Sequence, residues 1–277
     1  MNHADQFTPE DAVRTLRRDP AFADLIRDSY LDEDVLAAAA RFGASGEWRA
    51  VRDLLDPWIR DASVVDLGAG NGMASLALLE AGARNVHAVE PDPSAEVGRG
   101  ALARVCEGRA VRIVDAFGES LPLPDHCADI VYARQVLHHT TDLEQTIREV
   151  ARVLRPGGAF LACREHVADT PEELRAFLAA HPVHRFTKGE NAFPLARYRD
   201  AIAAAGLLLR REIGPWDSVV NLHPAVNDDD EIAALPERIL REKFGPLAPL
   251  FARIPMVVAR LRRPRPGRLY SFLAVKP

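Results

Sequence analysis

Through residues 1–60 apolar side chains recur at intervals of three and four, at Leu16, Phe22, Leu25 and Ile26 and then at Val35, Leu36, Phe42, Trp48, Val51, Leu54 and Leu55. That spacing lines one face of a 3.6-period helix, so this stretch is expected to be a helical preface. From Ser63 the period changes. Residues 64–67 are a short apolar run, a glycine-rich turn follows, and residues 73–79 return to helical spacing, which predicts strand, turn and helix. The alternation then repeats, with strands at residues 86–90, 111–114, 130–133 and 159–163 and helices near 95–105 and 143–154. Strands alternating with helices predict a parallel sheet covered on both faces. In such sheets ligands sit beyond the carboxyl ends of the strands, where the strand order reverses, so the residues that end each strand are the first candidates for chemistry.

After residue 165 the pattern loosens into a helix at 171–180, a loop through Phe193, a helix at 195–205 and a strand at 207–213. Residues 214–267 are rich in proline, carry an acidic run at 228–231 and then helical stretches, and precede a closing strand at 269–275. The expected fold is therefore α/β: a Rossmann-like, doubly wound, seven-stranded, mostly parallel sheet with N-terminal helices and a helical insertion before the last strand. Three regions follow from it: a helical lid at 1–60, a cofactor-binding core at 61–165, and an acceptor-facing elaboration with the last strands at 166–277.

Composition narrows the class. Apolar residues make up 48% of the chain and charged residues 27%, the balance of a folded globular protein and not of a disordered one. A formal net charge of −5 argues against nucleic acid as a partner, which calls for a basic face. Cys106, Cys127 and Cys163 are scattered, without the spacing of a disulfide framework or a zinc knuckle, so a reducing cytoplasm is the expected compartment. The acidic start (Asp5, Glu10, Asp11) is unlike a signal peptide, and the chain has no apolar run of the roughly 18 residues that a membrane span needs. Arg260, Arg262, Arg263, Arg265 and Arg268 follow the apolar Phe251, Ile254, Met256, Val257 and Val258, a pattern that suits a membrane surface. Pro255, Pro264 and Pro266 interrupt it and favour a solvated surface instead.

The first strand runs straight into Asp66-Leu67-Gly68-Ala69-Gly70-Asn71-Gly72. Glycine at alternate positions lets the backbone turn tightly and admits a ligand with no Cβ in the way. The third glycine falls one residue early for a dinucleotide fingerprint, and Met73 stands where that motif wants Gly or Ala. Asp66 would repel a pyrophosphate but attract an ammonium group, so a cationic cofactor without phosphate fits better. Glu90 ends the second strand, where a carboxylate can accept from both ribose hydroxyls; Asp115, Ala116 and Phe117 follow the third and offer an acceptor and an aromatic surface to adenine. Arg134, at the end of the fourth strand, joins this set.

In these motifs the chain resembles the class I S-adenosylmethionine-dependent methyltransferases, in their type 11 branch. The matching stretches are Asp66 to Gly72, Glu90, Asp115, Glu119 to Asp125, Ala128 to Val131, Leu137-His138-His139 and Arg152 to Gly158, so the resemblance covers roughly residues 60–165. It implies S-adenosylmethionine as cofactor, with Asp66 and the glycine loop (Gly68, Gly70, Asn71, Gly72) at the methionine moiety, Glu90 at the ribose and Asp115 at the adenine. Arg164-Glu165-His166, Gly189 to Phe193 and Gly214 to Val219 look like a subgroup that accompanies bacterial surface-polysaccharide genes, which implies a sugar acceptor.

Methyl transfer to oxygen needs the nucleophile in line and a place for its proton. His138 and His139 follow the fourth strand, and Glu165 and His166 end the fifth; these four are the candidate catalytic residues. One member of the adjacent histidine pair could equally pack or cap a helix. If the fifth strand runs through Glu165 and His166 they must point to opposite faces, so only one would meet the acceptor while the other orients it. Arg164, His184, Glu190 and Asn191 are the candidate acceptor-binding residues. His166, His181 and His184 lack compact ligand spacing, so no metal is expected. The expected function is methyl transfer to oxygen of a small-molecule or glycan acceptor. Its alternatives are a nicotinamide-dependent oxidoreductase, which Met73 disfavours, and a non-catalytic cofactor-binding partner subunit.

Overall fold

Strand β1 (Ser63–Leu67) is buried along its whole length, as a Val-rich strand covered on both faces must be. In the computed structural model, which describes residues 9–27, 31–181, 184, 190–235, 237, 238, 241 and 268–277, β1 belongs to a seven-stranded sheet. Its other strands are β2 (Asn85–Val89), β3 (Val111–Val114), β4 (Ala128–Arg134), β5 (Leu154–Val167), β6 (Leu208–Ile213) and β7 (Arg268–Val275), in the spatial order β3-β2-β1-β4-β5-β7-β6. The first five pair in parallel, and β7 runs antiparallel between β5 and β6. The order reverses between β1 and β4. There Leu67 is in register with both Val89 and Ala133, so the residues that follow three strands emerge at one edge.

Alternation along the strands makes two cores. Val64, Val86, Ile130, Tyr132 and Leu161 face α3 (Val35–Ala44), α4 (Gly46–Ile59), α5 (Met73–Glu80) and α6 (Arg99–Val105). Val65, Val131, Phe160 and Phe272 face α7 (Leu143–Val153) and α9 (Leu195–Ala204), while α8 (Pro171–Ala180) packs over Ala168 and Ala192. Helix α7 shows how the chain specifies these elements. Asp142 accepts from the Gln145 amide at 2.8 Å and caps the first turn, Leu143, Ile147 and Val150 bury one stripe, and the helix stops where β5 begins. The N-terminal helices α1 (Pro9–Arg17) and α2 (Ala23–Arg27) lie against the loop after β2, where Glu10 accepts from Ser94 Oγ and the Ala95 amide, both at 2.7 Å.

Two boundaries differ from the periodicity. Helix α6 starts at Arg99 and not near residue 95, because the preceding loop is taken up by Glu10 and by its own turn. Strand β5 extends beyond residues 159–163 in both directions and carries Arg164, Glu165 and His166 into the sheet. Of the insertion between β6 and β7, the short helix α10 (Val219–Leu222) and a 3-10 turn at Asp230–Ala233 are seen. The helical stretches expected beyond residue 241, and the basic run at Arg260, Arg262, Arg263 and Arg265, lie outside the described residues. Among the described residues no helix is long and apolar enough to cross a membrane.

Candidate active site

The turn after β1 is built by its glycines. Gly68, Gly70 and Gly72 have φ of +64°, +53° and +87°. A Cβ on Gly68 would collide with Val136 and one on Gly72 with Leu102, whereas one on Gly70 would meet nothing closer than the Val97 carbonyl at 3.8 Å. Packing therefore requires two of the glycines, and the third opens onto a cleft of about 800 Å³. Glu90 holds the loop's shape, accepting from the Gly70 amide at 2.7 Å and the Asp92 amide at 2.8 Å. Burial pushes its pKa up, against those two bonds. Asp66, 1% exposed, accepts from Ser75 Oγ at 2.5 Å, and burial pushes its pKa up to about 7. These residues fit a phosphate-free cationic cofactor: a buried carboxylate and an open glycine stand on one wall of the cleft.

At the far end the same cleft is lined by His138, His139, His166, His181 and Glu190. Two non-glycine residues adopt left-handed backbone here, Gln135 at the end of β4 (φ 56°) and Arg164 within β5 (φ 61°), a conformation that costs roughly 1–2 kcal/mol each. The pairing of β5 with β7 shifts register between Ala162 and Glu165. Beyond this irregularity the β5 side chains alternate: Arg164 and His166 line the cleft, while Glu165 is turned beneath the 3-10 turn Leu137–His139. Glu165, 0% exposed, accepts from the amides of Val136 and His138 at 3.1 Å each and from His138 Nδ1 at 2.7 Å. Burial raises its pKa and those amides oppose the rise. Burial, with His139 and His181 nearby, holds the His138 pKa well below its usual value. The His138 imidazole is thus neutral, donates through Nδ1 to the carboxylate, and keeps its Nε2 lone pair on the cleft side.

The structure separates the candidate residues by position. Asp66, Gly68, Gly70, Asn71, Glu90, Ala116, Phe117 and Arg134 line the cleft, with Phe117 69% exposed at its mouth. Gly72 lies behind the loop against Leu102. Asp115 is not a lining residue: its side chain is 68% exposed and pairs with Arg99 at 2.7 Å. Among the candidate catalytic residues His138, His139 and His166 face the cleft, and Glu165 holds His138 from behind. Of the acceptor candidates, Arg164 and Glu190 line the cleft and His184 and Asn191 do not. The Arg164 head group is drawn inward to the carbonyls of Val220 and His223, both at 2.9 Å.

Glu47 on α4 escaped the sequence reading. It is buried and pairs with Arg134 at 2.5 and 2.9 Å and with Arg164 at 3.6 Å. Burial raises its pKa, but the two guanidinium charges outweigh that and hold it down. Its signal is a charge in line with Val51 and Leu55 at four-residue steps, on the face that should be apolar. The histidine cluster also exceeds what spacing suggested, because ligand atoms of His138, His139 and Glu190 all lie within 4.8 Å of one another.

Residues 65–162 match the family model described as a methyltransferase domain. The chain is 36% identical to dimethylglycine N-methyltransferase of Parasynechococcus marenigrum (strain WH8102) over 125 residues, 44% of each protein. It spans about half the length of the curated relatives it matches. The fold is shared with an S-adenosylmethionine dependent methyltransferase from Mesorhizobium loti at a TM-score of 0.57 and 18% identity, over 84% of this chain and 98% of that one. It is shared equally with the [4+2]-cyclase SpnF at a TM-score of 0.55 and 18% identity, over 83% and 81%. Residues 65–162 thus carry a methyltransferase domain on the fold of the S-adenosylmethionine-dependent methyltransferases, and S-adenosylmethionine is the cofactor that this domain and fold imply.

Proposed function

We propose that this protein transfers the methyl group of S-adenosylmethionine to a hydroxyl oxygen of a small-molecule or sugar acceptor. The observation that carries the reading is the shared cleft: the Asp66 and glycine-loop wall at one end faces neutral, carboxylate-held His138 at the other. When bound, the cofactor supplies a methyl group made electrophilic by a sulfonium. Asp66 and the Gly68–Gly70 backbone hold the methionine end, with the charge of Asp66 opposite an ammonium. Glu90 accepts from the ribose, and Phe117 covers the adenine face. His138, His139, His166 and His181 form the acceptor end, where an imidazole nitrogen takes the hydroxyl proton and Glu165 fixes the ring of His138. Within region 1–60 it is α1 and α2 that cover the cofactor, region 61–165 binds it, and region 166–277 supplies Glu190 and the acceptor wall.

A neutral imidazole suits a hydroxyl that must lose its proton, and this favours oxygen over an amine as the acceptor atom. The partial similarity to an N-methyltransferase makes amines the natural comparison. The test is a screen of sugars, phenols and amines with methyl-labelled S-adenosylmethionine, read as label in product together with S-adenosylhomocysteine. Transfer to a hydroxylated acceptor is expected. Label in amines alone would overturn the oxygen assignment, and stabilisation by NAD but not by S-adenosylhomocysteine in a thermal-shift assay would overturn the whole reading.

A further inference from the structure

We propose that His138, His139 and Glu190 bind a divalent first-row transition metal ion, of the zinc or ferrous-iron class, at the acceptor end of the cleft. Their ligand atoms are already gathered: His138 Nε2 and His139 Nε2 lie 3.9 and 3.7 Å from the same Glu190 carboxylate oxygen. Tetrahedral ligands at the usual bond lengths of about 2.0–2.2 Å are roughly 3.3–3.5 Å apart, so closure needs shifts of a few tenths of an ångström. His139, with a side chain 42% exposed, has room to make them.

A second observation is the way His138 is held. A metal-binding histidine characteristically donates its other ring nitrogen to a carboxylate that is itself hydrogen-bonded, which fixes the tautomer and aims the lone pair. Glu165 does this at 2.7 Å while accepting two backbone amides. A third is His181, whose Nδ1 is shielded from solvent and has no hydrogen-bond partner among the described residues, 3.8 Å from the other Glu190 oxygen. Two imidazoles and one carboxylate select zinc, iron, cobalt or nickel over magnesium or calcium, which prefer oxygen ligands throughout. Three protein ligands leave a coordination position open towards the cleft, the arrangement of a catalytic and not of a structural site. A hydroxyl entering that position would lose its proton more readily, and with His138 and His139 engaged on the ion that proton would pass to His166 or His181. This last role rests on the methyl-transfer reading; binding of the ion does not.

The experiment uses the full chain, stripped with chelator and dialysed, titrated with Zn²⁺ by calorimetry and with Co²⁺ by visible absorption. One ion per chain is expected. His139→Ala and Glu190→Gln should each weaken binding tenfold or more, and Glu165→Gln by about 10–100-fold, the usual effect of removing a partner behind a ligand. S-adenosylhomocysteine affinity, measured on the same preparations, should stay within a few-fold in His139→Ala and Glu190→Gln and shows that these variants fold. Absence of stoichiometric binding in the wild type, or unchanged affinity in both of those variants, overturns the site. If the ion binds as described but S-adenosylhomocysteine binds no variant and no wild type, the metal site stands and the methyl-transfer reading falls.

Discussion

Replacing Asp66 by Asn removes a buried charge beneath the glycine loop while keeping the side chain's shape. Burial and the nearby Glu90 charge push the Asp66 pKa from 3.8 up to about 7, against the Ser75 hydrogen bond and the charge of Arg134. An acid whose pKa is raised on folding binds more protons folded than unfolded between those two values. The ligand-free protein therefore loses stability as pH rises from about 4 to about 7, and the cost is fully present above 7. The interval corresponds to roughly 4 kcal/mol at about 1.4 kcal/mol per pH unit. The amide also pays for burial, which leaves an expected gain of about 1–3 kcal/mol for Asp66→Asn at pH 8. In a chain of this size that raises Tm by roughly 2–10 °C. The assay is a thermal melt of wild type and variant without cofactor at several values between pH 4 and 8. The gain should shrink towards zero at the acid end, while S-adenosylhomocysteine affinity at pH 8 should fall at least tenfold for want of the carboxylate. A variant less stable than wild type by the same amount at every pH would refute the reasoning, because Asp66 would then act through its hydrogen bond and not its charge.

The same geometry sets the outcome of four further substitutions. Gly70→Val puts a β-branched side chain at φ +53° and into the cleft, so calorimetry should show S-adenosylhomocysteine binding abolished, with a loss of roughly 1–2 kcal/mol in stability; unchanged affinity would remove the cofactor assignment. Glu90→Ala should weaken cofactor binding by about 1.5–3 kcal/mol. Asp115→Ala should weaken it less, since Asp115 is exposed and engaged with Arg99; equal effects in calorimetry would contradict that ranking. Glu47→Gln leaves Arg134 and Arg164 without their buried counter-charge and should cost about 3–5 kcal/mol in urea unfolding. Because the Glu47 pKa is held down in the fold, that loss should be present above about pH 4.5 and fade below it.

How far the sequence could be read differs between the two ends of the cleft. The wall proposed for the cofactor is local: Asp66, the glycines and Met73 lie within one strand-turn-helix unit, and Glu90 follows the next strand, so spacing alone sets them side by side. The end proposed for the acceptor is not local. Arg164, Glu165 and His166 form a polar triplet that reads as a strand end, yet the strand continues, because Ser271 Oγ, the Val220 and His223 carbonyls and the 3-10 turn satisfy the polar groups from elsewhere in the chain. Glu190 reaches the histidines because Val167 bridges to Phe193 and the Ala168 amide donates to the Phe193 carbonyl at 3.1 Å, a long-range pairing that no periodicity announces. Alternation did separate Glu165 from His166, since a period of two survives wherever the strand does.

The N-terminal helices, grouped as one region by their shared period, are held to the rest of the fold to different extents. Helix α1 is tied to the loop after β2 through Arg14 and Arg17 with Glu96, through Glu10, and through a small buried cluster of Val13, Leu16 and Leu31 with Val97. Arg14 is half exposed, and ion pairs of that kind contribute roughly 0–1 kcal/mol each. Helix α4 instead buries Trp48, Val51 and Leu55 in the core, donates from Trp58 Nε1 to the Gly157 carbonyl at 2.8 Å, and carries Glu47 to the ends of β4 and β5. Separating α4 would expose that apolar face and strand two guanidinium charges, at a cost comparable to the stability of a whole domain. Val13 of α1 and Leu31 after α2 both line the cleft. Parting the structure at α1 and α2 would therefore break the small cluster around Val97 and its ion pairs, whereas parting it at α4 would break the main core and the Glu47 pairs.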